Sequence, residues 1–291
     1  EEGYQLVEQS ILYRGAASTE FMPNDTLFFY GLGTENWADD IDPEDSHRRY
    51  VQHPYETENT YWLTWNGEFG TNPRRMAERD VSPDPPYDIE VTSYEARLHV
   101  EQDNQHDPCY TDDRWYWQTL DPSVTTTFRN IFSLDIVTGS GGAVRTQAYG
   151  PYRNITWQTA DYFLNSSFVG SLGWSTTNDY DPLAMPILEA EVSNLVQGQN
   201  TFEVIKASGN PMYILWYQIF YERPLQAASG KLDFYSPAGT GEAHMVLNGY
   251  QPGALHIFDV THYDSPLLLE GWQRTGQGAE LGDLLEHGPL P

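Results

Sequence analysis

Short segments in which polar and apolar residues alternate run from residue 87 to residue 224, and they limit what this chain can fold into more than any other feature. Alternation has the period of a half-buried β-strand, and no long stretch shows the period of a helix. Eight short strands over about 135 residues is the spacing expected of a sandwich of two antiparallel sheets. The last segment is almost entirely apolar or aromatic, which predicts a central strand buried on both faces. We therefore predict strands at Ile89 to Val100, Arg114 to Thr119, Thr125 to Thr138, Ala143 to Tyr149, Ile155 to Leu164, Ile187 to Val192, Asn200 to Ile205 and Met212 to Glu222.

The composition favours the same all-β fold class. Aromatic residues make up 14% of the chain, and 24 Gly and 19 Pro residues supply turns. The formal net charge of −27 repels phosphate backbones and anionic membranes, so nucleic acid is not expected as a partner. No apolar run is long enough to span a membrane. A single cysteine, Cys109, excludes an intrachain disulfide.

We predict two domains. Residues 1–86 and 225–270 each carry too few strand signals for a core of their own, so pairing them would form one discontinuous β domain. A stretch at 74–86, rich in Pro and Asp, marks its first border. Residues 87–224 would form a jelly-roll antiparallel β-sandwich inserted in, or following, this small domain. Within the small domain we expect strands at 4–13, 25–33, 60–66, 244–250 and 254–266, an acidic loop at 34–49, and a tail at 271–291 that leads to a downstream region.

One phrase in the second predicted domain carries a resemblance. Residues Asn194 to Val204 (NLVQGQNTFEV) place a turn at Gly198 before an alternating strand. This arrangement resembles the penultimate strands of jelly-roll domains of the galactose-binding type. The resemblance implies that residues 87–224 fold as a galactose-binding-like jelly roll.

Two phrases near the start of the chain carry a second resemblance. Asn24 to Trp37 (NDTLFFYGLGTENW) is followed by Asn59 to Trp65 (NTYWLTW). Together they resemble a signature found upstream of the protease domain in gingipain-type cysteine peptidases, including the sortase-like peptidases of type IX secretion. The segment Asp259 to Thr261 (DVT), with Pro266 after it, resembles the strand and proline turn that precede the peptidase domain in that family.

The resemblance extends over most of residues 20–266. Tyr94 to Glu101 and Asp112 to Trp117 lie where family members carry F-x-x-x-x-H-x-E and G-R-x-W, although Trp117 and Gln118 replace the usual Gly-Glu. It implies the non-catalytic N-terminal region of such a protein, because the 25 residues after Pro266 are too few for a peptidase domain. No catalytic residue is carried over. Cys109 itself has His106 only three residues away, whereas a nucleophile and its base are normally remote in sequence.

The sequence therefore predicts a secreted, extracellular or cell-surface module that is not an enzyme and has an architectural or interaction role. Its partners would be a downstream peptidase or other domains of the same precursor, or other cell-surface proteins. Two alternatives stay open: a carbohydrate-binding jelly-roll module, and a structural subunit of an extracellular assembly. A glycan would be held by aromatic side chains near predicted loops, although aromatic residues in a sandwich are mostly core. The candidates for that platform are Trp157, Trp174 and Tyr180.

Calcium is the one cofactor that the sequence suggests. An acidic segment offers alternating carboxylates, and Ca²⁺ takes six to eight oxygen ligands. The segment lacks the glycine and distal Glu of an EF-hand, so a solvated acidic loop is the alternative. The candidate ligands are Asp39, Asp40, Asp42, Glu44 and Asp45.

Two other kinds of site are considered from sequence patterns. Asn24, Asn154 and Asn165 begin glycosylation sequons, which matter only if the chain passes through a glycosylating secretory route. His244, His256 and His262 lie in the last third of the chain. They lack the Cys partner or the His-x-x-x-His helix that a zinc site would use.

Overall fold

The computed structural model describes residues 7–15, 20–41, 48–53, 55–64, 72–106, 115–150, 158–175, 187–236, 241–251, 253–276 and 278–285, with only the backbone at 38–41, 48–49 and 283–285. These residues contain 22 strands and no helix. No helix that could cross a membrane is therefore found among them. The all-β prediction is confirmed. Contacts divide the chain into two compact units, residues 1–90 with 238–291 and residues 91–237. We call them the discontinuous unit and the continuous unit.

The strands up to residue 91 are Ile11–Arg14 (β1), Thr26–Phe29 (β2), Glu35–Ile41 (β3), Arg48–Gln52 (β4), Ala77–Asp80 (β5) and Ile89–Val91 (β6). The next eleven are Ser93–Glu101 (β7), Gln105–His106 (β8), Trp115–Tyr116 (β9), Gln118–Leu120 (β10), Thr127–Leu134 (β11), Gly142–Tyr149 (β12), Gln158–Leu164 (β13), Ser167–Trp174 (β14), Leu188–Val192 (β15), Gly198–Ile205 (β16) and Met212–Pro224 (β17). The last five are Gly241–Leu247 (β18), Ile257–Asp259 (β19), Leu267–Glu270 (β20), Gln273–Thr275 (β21) and Gly278–Leu285 (β22).

The continuous unit is an antiparallel β-sandwich of the jelly-roll class, as predicted. One sheet has the order β10-β17-β12-β15, with β7 also paired to β17, and the other has the order β11-β16-β13-β14. The alternating pattern of β16 turns Phe202 and Val204 into the interior, where both are fully buried. Phe202 stacks on Tyr217 of the opposite sheet with ring centroids 4.3 Å apart. Aromatic contacts of this kind join the two layers.

The long strand β17 is the central strand that the sequence predicts. It lies between β12 on one side and β7 on the other, and its residues are largely covered on both faces. The core face carries Tyr217 and Ile219. On the opposite face, Gln218 accepts a hydrogen bond from Arg145 Nη1 at 3.1 Å and lies 3.1 Å from His99 Nδ1. Buried polar groups need such partners, and Gln218 finds them on the two neighbouring strands, β12 and β7.

The discontinuous unit joins the two ends of the chain. Strand β5 pairs in parallel with β20, and β18 lies between β6 and β22 in a four-stranded sheet. Its small core cluster consists of Leu12, Met76 and Leu268, with Phe28 and Phe258 packed against it. Strands from both sequence segments therefore share hydrogen bonds and apolar contacts.

Three sequence predictions for this unit are wrong. The predicted acidic loop at 34–49 contains strand β3 and the start of β4, which form an antiparallel pair. Trp37 and Tyr50 make an edge-to-face contact across this pair, with ring centroids 5.2 Å apart. The described part of the strand predicted at 60–66, residues 60–64, contains no strand, and there the Tyr61 side chain hydrogen-bonds to the Leu32 carbonyl oxygen. The tail predicted at 271–291 contains β21 and β22, whose Ala279 and Leu281 are buried.

Candidate interaction surface

The two phrases Asn24 to Trp37 and Asn59 to Trp65, which we call the signature phrases, contact each other. Asn59 Nδ2 donates hydrogen bonds of 2.9 Å to the carbonyl oxygens of both Leu32 and Gly33. Tyr61 Oη donates a third, of 3.1 Å, to the carbonyl oxygen of Leu32. A Cβ atom at Gly31 would come within 3.1 Å of the Tyr61 ring, so this close approach favours glycine there. The first phrase thus supplies a turn, and the second supplies the side chains that hold it.

The same segment presents apolar side chains to solvent. Trp62 is 79% exposed and Leu63 is 64% exposed, and the rings of Phe29 and Tyr61, 5.2 Å apart, are also exposed. We call Phe29, Tyr61, Trp62 and Leu63 the signature surface. Contiguous exposed apolar residues mark sites of interaction in soluble proteins. Because hydrogen bonds fix the backbone around Asn59, this surface is held outward and does not collapse onto the core.

A second group of functional side chains surrounds His244 in the discontinuous unit. His244 Nδ1 lies 2.7 Å from Glu90 Oε2, and its Nε2 lies 2.9 Å from Glu280 Oε1. The Tyr87 ring stacks on the imidazole with centroids 4.7 Å apart and planes 13° apart. Burial lowers the pKa of His244, but the hydrogen bonds and charges of the two glutamates outweigh it, so the pKa is raised above 6.5.

This histidine is not arranged as a metal ligand, because both ring nitrogens face carboxylates. His256, another histidine of the last third of the chain, packs against Phe28 with ring centroids 5.1 Å apart. Among the described residues, no group of three His, Cys, Asp or Glu side chains is placed to hold a metal ion.

A third group lies inside the continuous unit around Lys206, which is fully buried. Its Nζ donates to Gln158 Oε1 at 2.9 Å and to the carbonyl oxygen of Ser208 at 2.8 Å. It also lies 4.8 Å from the centre of the Trp174 ring, within cation–π range. Burial lowers the pKa of Lys206. The ammonium group of Lys206 is thus surrounded by two carbonyl oxygens and an aromatic ring, and none of these contacts is a carboxylate.

Of the three residues predicted to form an aromatic platform for a glycan, the structure describes only Trp174. Trp174 is only 5% exposed, so its ring covers Lys206 and is closed to a sugar. Trp157 and Tyr180 lie outside the described residues. Sequence reasoning missed Lys206 and Gln158, although a signal was present: Lys206 is one of two lysines in the chain and directly follows an alternating strand.

The structure does not describe the side chains of the five predicted calcium ligands. Asp39 and Asp40 belong to strand β3, of which only the backbone is described at these positions. Asp42, Glu44 and Asp45 lie outside the described residues. The same holds for Cys109.

The predicted glycosylation acceptors differ in their surroundings. Asn24 is exposed in a turn, and Asn154 lies outside the described residues. Asn165 Nδ2, the atom to which a glycan would be attached, donates hydrogen bonds of 2.8 Å to the Asn194 carbonyl oxygen and to Asn200 Oδ1. A glycan on Asn165 would disrupt this network, which holds the turn at Gly198.

No family model matches this sequence, and no curated protein matches it. Among solved structures, the chain is similar to dimeric latent PorU from Porphyromonas gingivalis, with a TM-score of 0.69 and 13% identity. The match covers 96% of this chain and 25% of PorU, so the chain spans about a quarter of that protein's length. At this identity the likeness shows a shared fold.

Carbohydrate-binding modules also align with part of the chain. A family 35 module from Clostridium thermocellum aligns with a TM-score of 0.28 and 12% identity, covering 44% of this chain and 95% of the module. The module CBM36 in complex with calcium and xylotriose aligns with a TM-score of 0.24 and 12% identity, covering 42% of this chain and 98% of the module. Scores this low carry no inference about ligands.

Proposed function

We propose that this chain is a non-catalytic β region of a secreted or cell-surface protein of the gingipain type, and that it presents the signature surface to another domain or protein. Two independent observations support this proposal. The sequence carries the signature phrases, and the fold matches a quarter of PorU over 96% of the chain. PorU is much longer than this chain, so a partner domain within the same precursor is the partner that we favour.

The observation that carries the proposal is the exposure of Trp62 and Leu63 on a fixed backbone. Burying a side chain of this size stabilises a complex by about 1.5–3 kcal/mol. Two such side chains in water do not stabilise the isolated chain, whereas their burial against a partner surface would stabilise the complex. The hydrogen bonds of Asn59 reduce the entropy lost on binding, because the segment is ordered beforehand.

Hydrogen exchange tests this role. The chain is compared alone and within the longer protein encoded by its gene, and we expect the amides of residues 60–64 to be protected only in the longer protein. A Trp62→Ser/Leu63→Ser double variant should remove that protection. The matched control is Phe168→Ser/Ile131→Ser, which changes two side chains that are each 60% exposed in the continuous unit. Equal exchange of residues 60–64 in both proteins, or an open reading frame that ends at Pro291, would refute the proposal.

The absence of enzymatic activity is part of the same proposal. We expect the isolated chain to hydrolyse no Arg-, Lys- or Thr-containing peptide, because its sequence resembles only the non-catalytic region of such a protein. Hydrolysis that disappears in Cys109→Ala would identify this cysteine as a nucleophile. Hydrolysis that survives the substitution would identify a different active site, and either result would contradict the proposal.

Glycan binding is the second candidate, and the exposed Trp62 ring favours it. An exposed indole can stack on the apolar face of a sugar ring, as aromatic platforms do. A glycan array probed with the wild-type chain and with Trp62→Ser separates the two functions. Binding that Trp62→Ser abolishes and Phe168→Ser leaves intact would support the glycan function over the interdomain function.

A further inference from the structure

We propose that His244 is a pH-dependent link that holds three adjacent strands of the discontinuous unit together only while its imidazole is protonated. His244 belongs to β18, Glu90 to β6 on one side, and Glu280 to β22 on the other. One side chain thereby bridges both neighbours of the central strand. This link goes beyond the proposed function and does not depend on it.

The geometry requires the charged form of the ring. Both imidazole nitrogens lie within hydrogen-bond distance of a carboxylate oxygen, at 2.7 and 2.9 Å. Ionised carboxylates only accept hydrogen bonds, and a neutral imidazole has a single N–H to donate. Loss of the proton therefore leaves either Glu90 or Glu280 without its donor. The corresponding strand loses its side-chain connection to β18.

Acidic side chains around His244 add to the cost of losing its proton. Glu242 lies on the same strand, and Tyr87 covers the ring. The charges of Glu280, Asp84, Glu90 and Glu242 all act on Tyr87, and Asp88 Oδ2 accepts a hydrogen bond from the Glu242 backbone. Among the described residues, no Lys or Arg forms an ion pair with Glu90, Glu242 or Glu280. When the proton leaves for solvent, the group becomes a set of like charges with no cation.

The direction of the pH dependence follows from linkage. The pKa of His244 is raised in the folded protein, so the folded state binds the proton more tightly than the unfolded state. The stabilisation is complete below about pH 6.5, the ordinary value for histidine, and is lost as the pH rises through the raised value. Glu90 and Glu280 must stay ionised, so the link also fails when acid protonates them. Strands β6 and β22 should thus lose this connection to β18 as the pH rises through the raised pKa.

The test uses the full chain and compares wild type with His244→Gln between about pH 6 and pH 9, across the titration range of histidine. We expect the wild type to have the higher thermal midpoint at the acidic end, by about 2–4 °C, and the difference to vanish at the alkaline end. Amides of β6 and β22 should lose protection over the same range in the wild type, after correction for intrinsic exchange. His262→Gln, an exposed histidine of the same unit, is the matched control and should follow the wild type.

Two results would overturn the link. One is an identical pH profile for wild type and His244→Gln. The other comes from the wild type alone and applies even if the variant does not fold: an NMR titration in which the His244 ring is neutral at about pH 6.5 or below. A titration above that value, with both ring nitrogens protonated, supports the link.

Discussion

Each unit of this protein contains a basic side chain with an altered pKa, and the two pKa values are shifted in opposite directions. In the continuous unit, Lys206 is buried against carbonyl oxygens and the Trp174 ring, and burial lowers its pKa. In the discontinuous unit, His244 lies between two glutamates and its pKa is raised. The difference follows from the partners of each group. Lys206 is enclosed without a carboxylate, whereas His244 has a glutamate at each ring nitrogen.

The opposite pKa shifts of Lys206 and His244 predict that their contributions to the stability of the two units change in opposite directions with pH. A lowered lysine pKa means that the unfolded state binds the proton more tightly, so the contribution of Lys206 to stability rises with pH up to about 10.4, the ordinary lysine value. The contribution of His244 falls as the pH rises through its raised value. With rising pH, the continuous unit should therefore gain stability from Lys206 between its lowered pKa and about 10.4, whereas the discontinuous unit loses stability from His244 as the pH passes its raised pKa.

The largest expected effect is in the aromatic core of the continuous unit. Phe202→Ala removes the ring that stacks on Tyr217 and should destabilise the continuous unit by about 3–5 kcal/mol, because it leaves a cavity between the sheets. Hydrogen exchange of β11 to β16 under increasing denaturant measures this loss. Phe168→Ala is the control, since this ring is 60% exposed and should change stability by at most about 0.5 kcal/mol. A comparable loss in both variants would show that the core does not carry the stability of this unit.

The second prediction concerns the buried lysine. Lys206→Met should destabilise the continuous unit by about 1–3 kcal/mol at neutral pH, because the Ser208 carbonyl oxygen loses its buried donor and Gln158 Oε1 keeps only the Asn210 amide. The deficit should grow as the pH rises, since only the wild type gains from deprotonation. Unfolding measured at several pH values checks both statements.

The other lysine of the chain provides the control. Lys231 is largely exposed and pairs with Asp233 at 2.7 Å, so Lys231→Met should leave the pH dependence of the continuous unit unchanged. A Lys206→Met variant whose deficit stays constant with pH would mean that Lys206 does not titrate in this range and would break the contrast with His244.

The third prediction tests the turn that supports the signature surface. Asn59→Ala removes two hydrogen bonds to backbone carbonyl groups and should cost about 0.5–1.5 kcal/mol. The loss should be local, seen as faster hydrogen exchange at residues 59–64 with little change in the continuous unit. Thr57→Ala, in the same exposed segment, is the control. Equal exchange in Asn59→Ala and wild type would show that the turn does not depend on this side chain.

The continuous unit was the easier half to predict, for a physical reason. In β16 and β17 the apolar residues alternate or run together, because each strand packs on an interior that its own unit supplies. In the discontinuous unit, β5 consists of Ala77, Glu78, Arg79 and Asp80, and no apolar pattern marks it as a strand. Its partner β20 lies 190 residues further along the chain, and Arg79 pairs with Asp259 at 3.3 Å. Strands held by distant ladders and ion pairs leave no local signal.

The candidate sites follow the same division. The sequence shows the two phrases but not how they meet: only the structure shows that Asn59 hydrogen-bonds to Leu32 and Gly33 while Trp62 is left in solvent. The predicted sugar platform failed at Trp174 because composition cannot tell a core ring from a surface ring. His244 was considered only as a metal ligand, since Glu90 and Glu280 are 154 and 36 residues away from it in sequence.

The smallest expected effect is at the exposed ion pair that joins the ends of the discontinuous unit. Arg14 Nη2 lies 2.8 Å from Glu270 Oε1, and about half of each side chain is exposed. Exposed pairs of this kind contribute about 0.2–1 kcal/mol, so Arg14→Gln should lower the protection of β1 and β20 by no more than that. In about 1 M NaCl the screening length falls to about 3 Å, and the difference from wild type should disappear.

The matched pair in the continuous unit is Arg129 with Glu203, which joins neighbouring strands β11 and β16 at 2.7 Å. Arg129→Gln should affect only the amides of those two strands, whereas Arg14→Gln should affect strands 256 residues apart. The two variants should thus lose similar amounts of stability but differ in the sequence separation of the strands affected. That separation distinguishes a unit formed by one continuous segment from a unit formed by two distant segments. An Arg14→Gln effect that persists in high salt would mean that packing of the arginine stem, and not its charge, connects the two segments.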